Sequence, residues 1–168
     1  MGYSIMSYLT DAGTLRGIYG SKNIKLGEEL CDEWQEELVD LDRFFELSSG
    51  KAQQVVEDFI QGQIRFKELA FLYGYVYELF CRKWGEEVFP DSEEYETQFL
   101  EDLTKEYSAF LPIPFSGDFP HIVSIEHAQL QDFATKCLSR LKGEQREEFA
   151  SVIEEARERG KDLVFFNY

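Results

Sequence analysis

Between residues 26 and 45, large apolar side chains recur at Leu26, Leu30, Trp34, Leu38, Leu41 and Phe45, always three or four positions apart. That spacing lays one apolar stripe along a single long helix and leaves the other faces to water. Ala52, Val55, Val56, Phe59 and Ile60 trace a second amphipathic helix, which Gly62 ends. The stretch "AFLYGYVYELFC", residues 70–81, differs from both. Apolar side chains fall on nearly every side of it, as expected for a helix from about residue 66 to Trp84 that other elements surround, with Gly85 as its stop.

The two ends of the chain read as strands. Residues 3–9 alternate Tyr3, Ile5 and Ser7 against Ser4, Met6 and Tyr8, and "DLVFFNY" at 162–168 is rich in Val and Phe. Thr10 or Asp11 caps a short helix closed by Gly20. All four prolines lie at positions 90–120, so this window reads as a short acidic helix over about 92–107, an extended segment, and a short strand "HIVSI" at 121–125. Two helices follow, one through Leu130, Phe133, Cys137 and Leu141, the other through Phe149, Val152, Ile153 and Ala156. The expectation is an α+β fold: one mostly helical domain over residues 1–168, with a small sheet pairing the N- and C-terminal strands.

Composition sharpens this picture. A chain of 168 residues with 15 Phe, 9 Tyr and 2 Trp has ample material for one core. Cys31, Cys81 and Cys137 are odd in number, far apart and set in apolar helical patterns, so they read as reduced core thiols and point to the cytoplasm. No secretion signal or membrane span is expected from an N-terminus without basic residues and a chain without a long apolar run.

Charge is the strong deviation. The net charge is −16, and nine acids with one base, Arg43, crowd Glu28 to Glu46; nine more with one base, Lys105, crowd Glu86 to Glu106. Such a field repels phosphate backbones, so no direct nucleic-acid partner is expected, nor a membrane. It suits a protein partner with a basic surface, with Glu28, Glu29, Asp32, Glu33, Glu36, Glu37 and Asp40 as the candidate interaction face.

Candidate chemistry is sparse. His121 and His127 stand six apart, which is not a metal-ligand spacing on one helical face, so neither a metal nor a cofactor is expected. "FSGDFPH" places Ser116, Asp118 and His121 close in sequence, but Ser-Gly-Asp is turn chemistry. Asp40 and Asp42, two apart on a helix, point in different directions and read as part of a solvated face. Glu78 remains, the one carboxylate in the central helix. It reads either as a half-buried acid satisfied by Arg82 one turn on or by a tyrosine hydroxyl, or as the centre of a small-molecule pocket formed with Tyr73, Tyr75, Tyr77 and Arg82. Gly74 in mid-helix predicts the close approach of another element.

Three segments, "MGYSIMSYLTDAGTLRGIYGSKN", "FLYGYVYELFCRKWG" and "ARERGKDLVFFNY", resemble in this order a family of uncharacterised bacterial proteins with a Tyr-Gly-Tyr-x-x-Glu-Leu-x-Cys central helix. Tyr73, Gly74, Tyr75, Glu78, Leu79 and Cys81 carry that motif here. The resemblance implies the helical order with terminal strands and no particular reaction. The functional expectation is a non-catalytic, acidic, cytoplasmic interaction protein, immunity-like in neutralising a basic partner; the alternative is a small-molecule-binding protein or enzyme built on the Glu78 pocket.

Overall fold

The computed structural model describes residues 5–88 and 98–168. In chain order the elements are β1 (Ile5–Thr10), α1 (Ala12–Ile18), α2 (Ile24–Glu33), α3 (Gln35–Phe44), α4 (Lys51–Gln61), α5 (Ala70–Trp84), β2 (Glu86–Glu87), α6 (Gln98–Leu103), β3 (His121–Ile125), α7 (Leu130–Leu138), α8 (Gly143–Glu158) and β4 (Asp162–Asn167). The fold is α+β, mostly helical, and the terminal strands pair as expected: β1 and β4 run antiparallel over Ile5↔Asn167 to Thr10↔Asp162. HIVSI is the third strand, antiparallel to β4. The two-residue β2 adds an edge that the sequence pattern does not announce, giving the order β2-β1-β4-β3. The first two residues of the N-terminal strand reading, Tyr3 and Ser4, and residues 92–97 of the acidic helix lie outside the described residues. No helix among the described residues is long and apolar enough to cross a membrane.

Both faces of the sheet are buried. Tyr8, Val164 and Phe166 join a core made with α1 to α5, whereas Ile5, Leu9, Leu163 and Phe165 join a second core made with α6, α7 and α8. Alternation along each strand distributes the side chains between the two, and the near-continuous apolar run Leu163 to Phe166 is what a strand covered on both sides requires. Phe165 stacks between Phe133 and Phe149, at 5.8 and 5.3 Å between ring centroids. On the other side Phe80 of α5 stacks on Phe59 at 4.9 Å and meets Trp34 edge-on at 5.2 Å. Each such pair is worth about 0.5–1.5 kcal/mol beyond the area it buries.

The long helix expected over 26–45 is two helices. Trp34 leaves helical geometry (φ −99°, ψ 19°), closing α2 and opening α3. Its amide still bonds Leu30 O at 2.9 Å and its carbonyl still accepts Leu38 N at 2.9 Å. The apolar stripe therefore stays almost in phase across the bend, which is why spacing alone reads it as continuous.

Carboxylates pin the ends of several elements. Asp11 caps α1 by accepting Thr14 N at 2.6 Å. Asp162 accepts Ala12 N on one side and His127 N on the other, each at 2.7 Å. Asp42 corrects the sequence reading: it is buried, not part of a solvated face. From the last turn of α3 it accepts the amides of Gly50, Lys51 and Ala52 at 2.6, 3.1 and 2.8 Å, and so caps α4, whose own N-cap residue Gly50 has no side chain to do it.

α5 sits at the centre of its core, with eight of its residues buried. The close approach expected at Gly74 is made by Pro120: a Cβ added at Gly74 would lie 2.9 Å from Pro120 Cγ. Gly85 ends the helix in extended geometry (φ −120°, ψ −172°), so its role differs from that of an ordinary left-handed stop.

Candidate functional site

The five residues read from the sequence as a pocket leave α5 in different directions. Glu78, half-buried, accepts a hydrogen bond from Tyr8 Oη at 2.7 Å and another from Tyr168 Oη. The tyrosine half of the expectation for this carboxylate therefore holds, with donors from the first strand and the last residue of the chain. Arg82 turns to α3 and donates to Glu37 Oε1 at 2.7 Å. Tyr75 packs its ring on Phe45 and Tyr168, at 5.0 and 5.2 Å between centroids. Tyr73 belongs to a different cluster on α4, described below. Tyr77 is fully buried near Ser124, Cys81 and the Phe110 backbone, and its hydroxyl lacks a well-formed hydrogen bond among the described residues. Only Tyr75 and Glu78 share a neighbourhood, around Tyr168.

Burial, reinforced by Glu78, holds the Tyr8 and Tyr168 hydroxyls well above the ordinary tyrosine range. Burial likewise raises Tyr19, Tyr75 and Tyr77 and pushes Tyr73 and Tyr107 up to about 12. These are all the tyrosines among the described residues. In the unfolded chain they ionise near pH 10, whereas in the fold they do not, so above that pH the unfolded state holds fewer protons and gains. Stability from this source is fully present below about pH 10 and falls as pH rises through the folded-state values. Tyrosinate absorbance followed with urea unfolding between about pH 9 and 12 should show ionisation arriving together with unfolding. Normal titration near pH 10 in a chain that remains folded would contradict it.

A buried polar cluster joins α4, the loop after it and α5. Asp58, fully buried, accepts from Tyr73 Oη, from Arg65 Nε and N (the latter at 3.0 Å), and from Gln63 Nε2 at 3.3 Å. Tyr73 Oη in turn accepts the amides of Arg65 and Phe66 at 3.1 and 3.2 Å. Arg65 also reaches Gln54 O at 2.7 Å and Glu57 at 3.2 Å. Burial and the loss of exits to water make this a structural knot. Sequence reading passes over Asp58, although its place three residues after Val55, beside the apolar stripe, marks an acid that cannot be fully solvated.

The acidic face on α2 and α3 divides into two sets. Glu33 and Glu37 are tied to the C-terminal turn of α5, Glu33 to Lys83 at 2.5 Å and Glu37 to Arg82 at 2.7 Å. Glu29 pairs with Lys25 at 3.6 Å and Asp40 with Arg43 at 2.9 Å. Glu28, Asp32 and Glu36 form the other set. They are exposed, follow one another at four-residue steps, and have no ion pair with any described residue. Like charges one turn apart repel by about 0.2–0.5 kcal/mol per pair, and Asp32 also faces the negative end of α2. Further along, Val39 and Phe44 stand exposed at 47% and 75%, and Ile24 at 66% opens the same helix pair.

Glu28 and Asp32 also line, with Glu57, Arg65, Cys31 and Ile60, a recess of about 420 Å³ between α2 and α4. Cys31 is thus half-buried, packed against the first core at its edge on this recess rather than inside it, and burial pushes its thiol up to about 11. Cys81 and Cys137 are buried, and all three are free.

The second acid-rich stretch behaves differently where it is described. Glu86 pairs with Arg159 at 2.5 Å, Asp102 with Arg140 at 3.0 Å, and Glu106 with Lys136. Each pair joins two segments of the fold. Asp91, Glu93, Glu94 and Glu96 lie outside the described residues. Ser116 accepts the Asp118 amide at 3.0 Å, closing a turn. Among the described residues no group of three His, Cys, Asp or Glu side chains is placed to hold a metal ion.

A family model described as Domain of unknown function (DUF7691) matches residues 1–168. No curated protein and no solved structure matches the chain.

Proposed function

Because the chain belongs, over its whole length, to that family of unknown function, its role must be read from its own surface, and we propose that it is a non-catalytic cytoplasmic protein-interaction module for a partner with a basic surface. The observation that carries this reading is the stripe Glu28, Asp32 and Glu36. The acids around it are used by the fold, whereas these three repel one another and take no cation from the described residues. A basic partner removes that repulsion on docking and is steered to the surface by the wider negative field.

Two neighbouring features give the surface a shape. The recess beside Glu28 and Asp32 has room for a lysine or arginine side chain entering between α2 and α4. Val39 and exposed Phe44 supply apolar contact at the other end of the helix pair, and an interface needs such contact for affinity as well as charge for rate. Of the seven acids in the expected face, Glu33 and Glu37 act first as clamps to α5, so the contact falls on Glu28, Asp32 and Glu36 with Glu29 and Asp40 beside them.

Affinity capture with the wild-type chain and with Glu28→Gln/Asp32→Asn/Glu36→Gln provides the test. The same basic protein should be retained by the wild type at low salt, released at high salt, and retained at least about tenfold less by the triple variant. Equal retention by both chains, or retention indifferent to salt, would overturn the reading.

A further inference from the structure

A second surface feature is opposite in character to the acidic face on α2 and α3. Between the first turns of α5 (Ala70, Gly74), the segment from Ser108 to Ser116 and the start of β3 runs a groove of about 390 Å³. Just before this segment, Tyr107 O accepts Ser124 N at 2.9 Å, which ties the chain to the outer edge of β3. The lining is Ala, Gly, Phe, Leu, Ile and Pro with Thr104, Ser108, Ser116 and His121, and it includes no Asp, Glu, Lys or Arg. In a chain of net charge −16 with 30% charged residues, an uncharged groove of that size is a marked local departure.

The lining holds one imidazole, that of His121. His121 is only 9% exposed, its ring is packed edge-on against Phe119 at 4.8 Å, and it makes no side-chain hydrogen bond to a described residue. Beside it in the β3–β4 register stands Asn167, 2% exposed, whose side-chain carbonyl is also unpartnered among the described residues. A hydrogen-bonding group set in an apolar lining can exchange its contact with water for a bond to a ligand that enters the groove, which fixes the ligand's orientation. Gly74 lets Pro120 and Ile122 pack directly on α5, which closes the groove on that side.

We propose that this groove is a binding site for a small, uncharged, mostly apolar ring compound whose one hydrogen-bonding edge is met by His121. The volume and the apolar lining with few polar groups are those of small-molecule sites. A charged ligand would find no counter-ion here and would lose its hydration on entry, and an anion would also meet the field of the whole chain. Exposed Phe115, also in the lining, offers an aromatic face to a ring entering from solvent.

The chain has only two histidines, and His127 is exposed, which provides an internal reference. Titrations with indole and para-cresol as uncharged probes, and with benzoate and benzylammonium as charged ones, would be followed by the imidazole signals in nitrogen-correlated NMR. The expected result is a saturable shift of the His121 signals alone with at least one uncharged probe, and at least tenfold weaker effects from both charged ones. Ala70→Phe, which fills the groove, should abolish the shift with the rest of the spectrum preserved. His121→Phe should weaken the uncharged probe about tenfold, read from its own signals. No shift with either uncharged probe, equal shifts of both histidines, or charged probes binding as well as uncharged ones would overturn the proposal. Since the acidic stripe takes no part in this titration, the result stands apart from that of partner capture.

Discussion

Replacing Asp58 by alanine is expected to destabilise the protein by about 3 kcal/mol, because it strips four hydrogen bonds from a side chain fully shielded from water. The loss is concentrated in what stays behind: the Tyr73 hydroxyl and the Arg65 amide lose a charged acceptor. Arg65 itself is partly exposed and can turn to solvent, which keeps the figure below that for a wholly buried ion pair. Tyr73→Phe should cost less, about 1–1.5 kcal/mol, since Asp58 keeps Arg65. The double variant should fall well short of the sum, as members of one network do. Urea unfolding of the three variants measures this; a loss under about 1 kcal/mol for Asp58→Ala would show that the cluster does not hold α4 to α5.

The second large effect is expected at Gly85. A Cβ there would stand 2.6 Å from Cys81 O and 2.7 Å from Leu9 O, so Gly85→Ala presses on the end of α5 and on β1 at once. Neither obstacle is a flexible side-chain tip. Overpacking of this kind costs about 3 kcal/mol, equivalent to a fall of about 10 °C in Tm for a chain of this size. Gly17 gives the contrast: it lies in α1 with nothing within 4 Å of an added Cβ, so Gly17→Ala should stabilise by about 0.5–1 kcal/mol. A thermal scan in which both alanines act alike would contradict the packing assigned to Gly85.

These two sites also show what spacing along a chain conveys. The helices and the pairing of the terminal strands are legible because burial imposes a period on Leu30, Trp34 and Leu38, and on Val55, Val56 and Phe59. The bend at Trp34 is not, since it preserves that period. The two-faced burial of the sheet is written in the unbroken run of Leu163 to Phe166, yet the same run also fits a terminal strand covered on one side. Acids are the hardest to place. Asp42, Asp58, Glu33 and Glu37 are held by the fold whereas Glu28, Asp32 and Glu36 are not, and what separates them is a partner on another element, which composition does not encode. Glu78 is the intermediate case. A tyrosine hydroxyl is a natural partner for it, but that the donors are Tyr8 and Tyr168, from opposite ends of the chain, follows only from the pairing of β1 with β4.

The central claim is that the stripe Glu28, Asp32 and Glu36 is kept for an encounter and not for the fold. Its most direct test is the unfolding free energy of Glu28→Gln/Asp32→Asn/Glu36→Gln against wild type in urea at low ionic strength. Removing three charges from a strongly negative chain relieves repulsion, while Glu36 at the start of α3 gives up a small favourable interaction with the helix dipole. The triple variant should therefore be as stable as the wild type within about 0.5 kcal/mol, or more stable, with the difference shrinking in salt. A loss of more than about 1 kcal/mol would mean that these carboxylates serve the fold, and would contradict the claim.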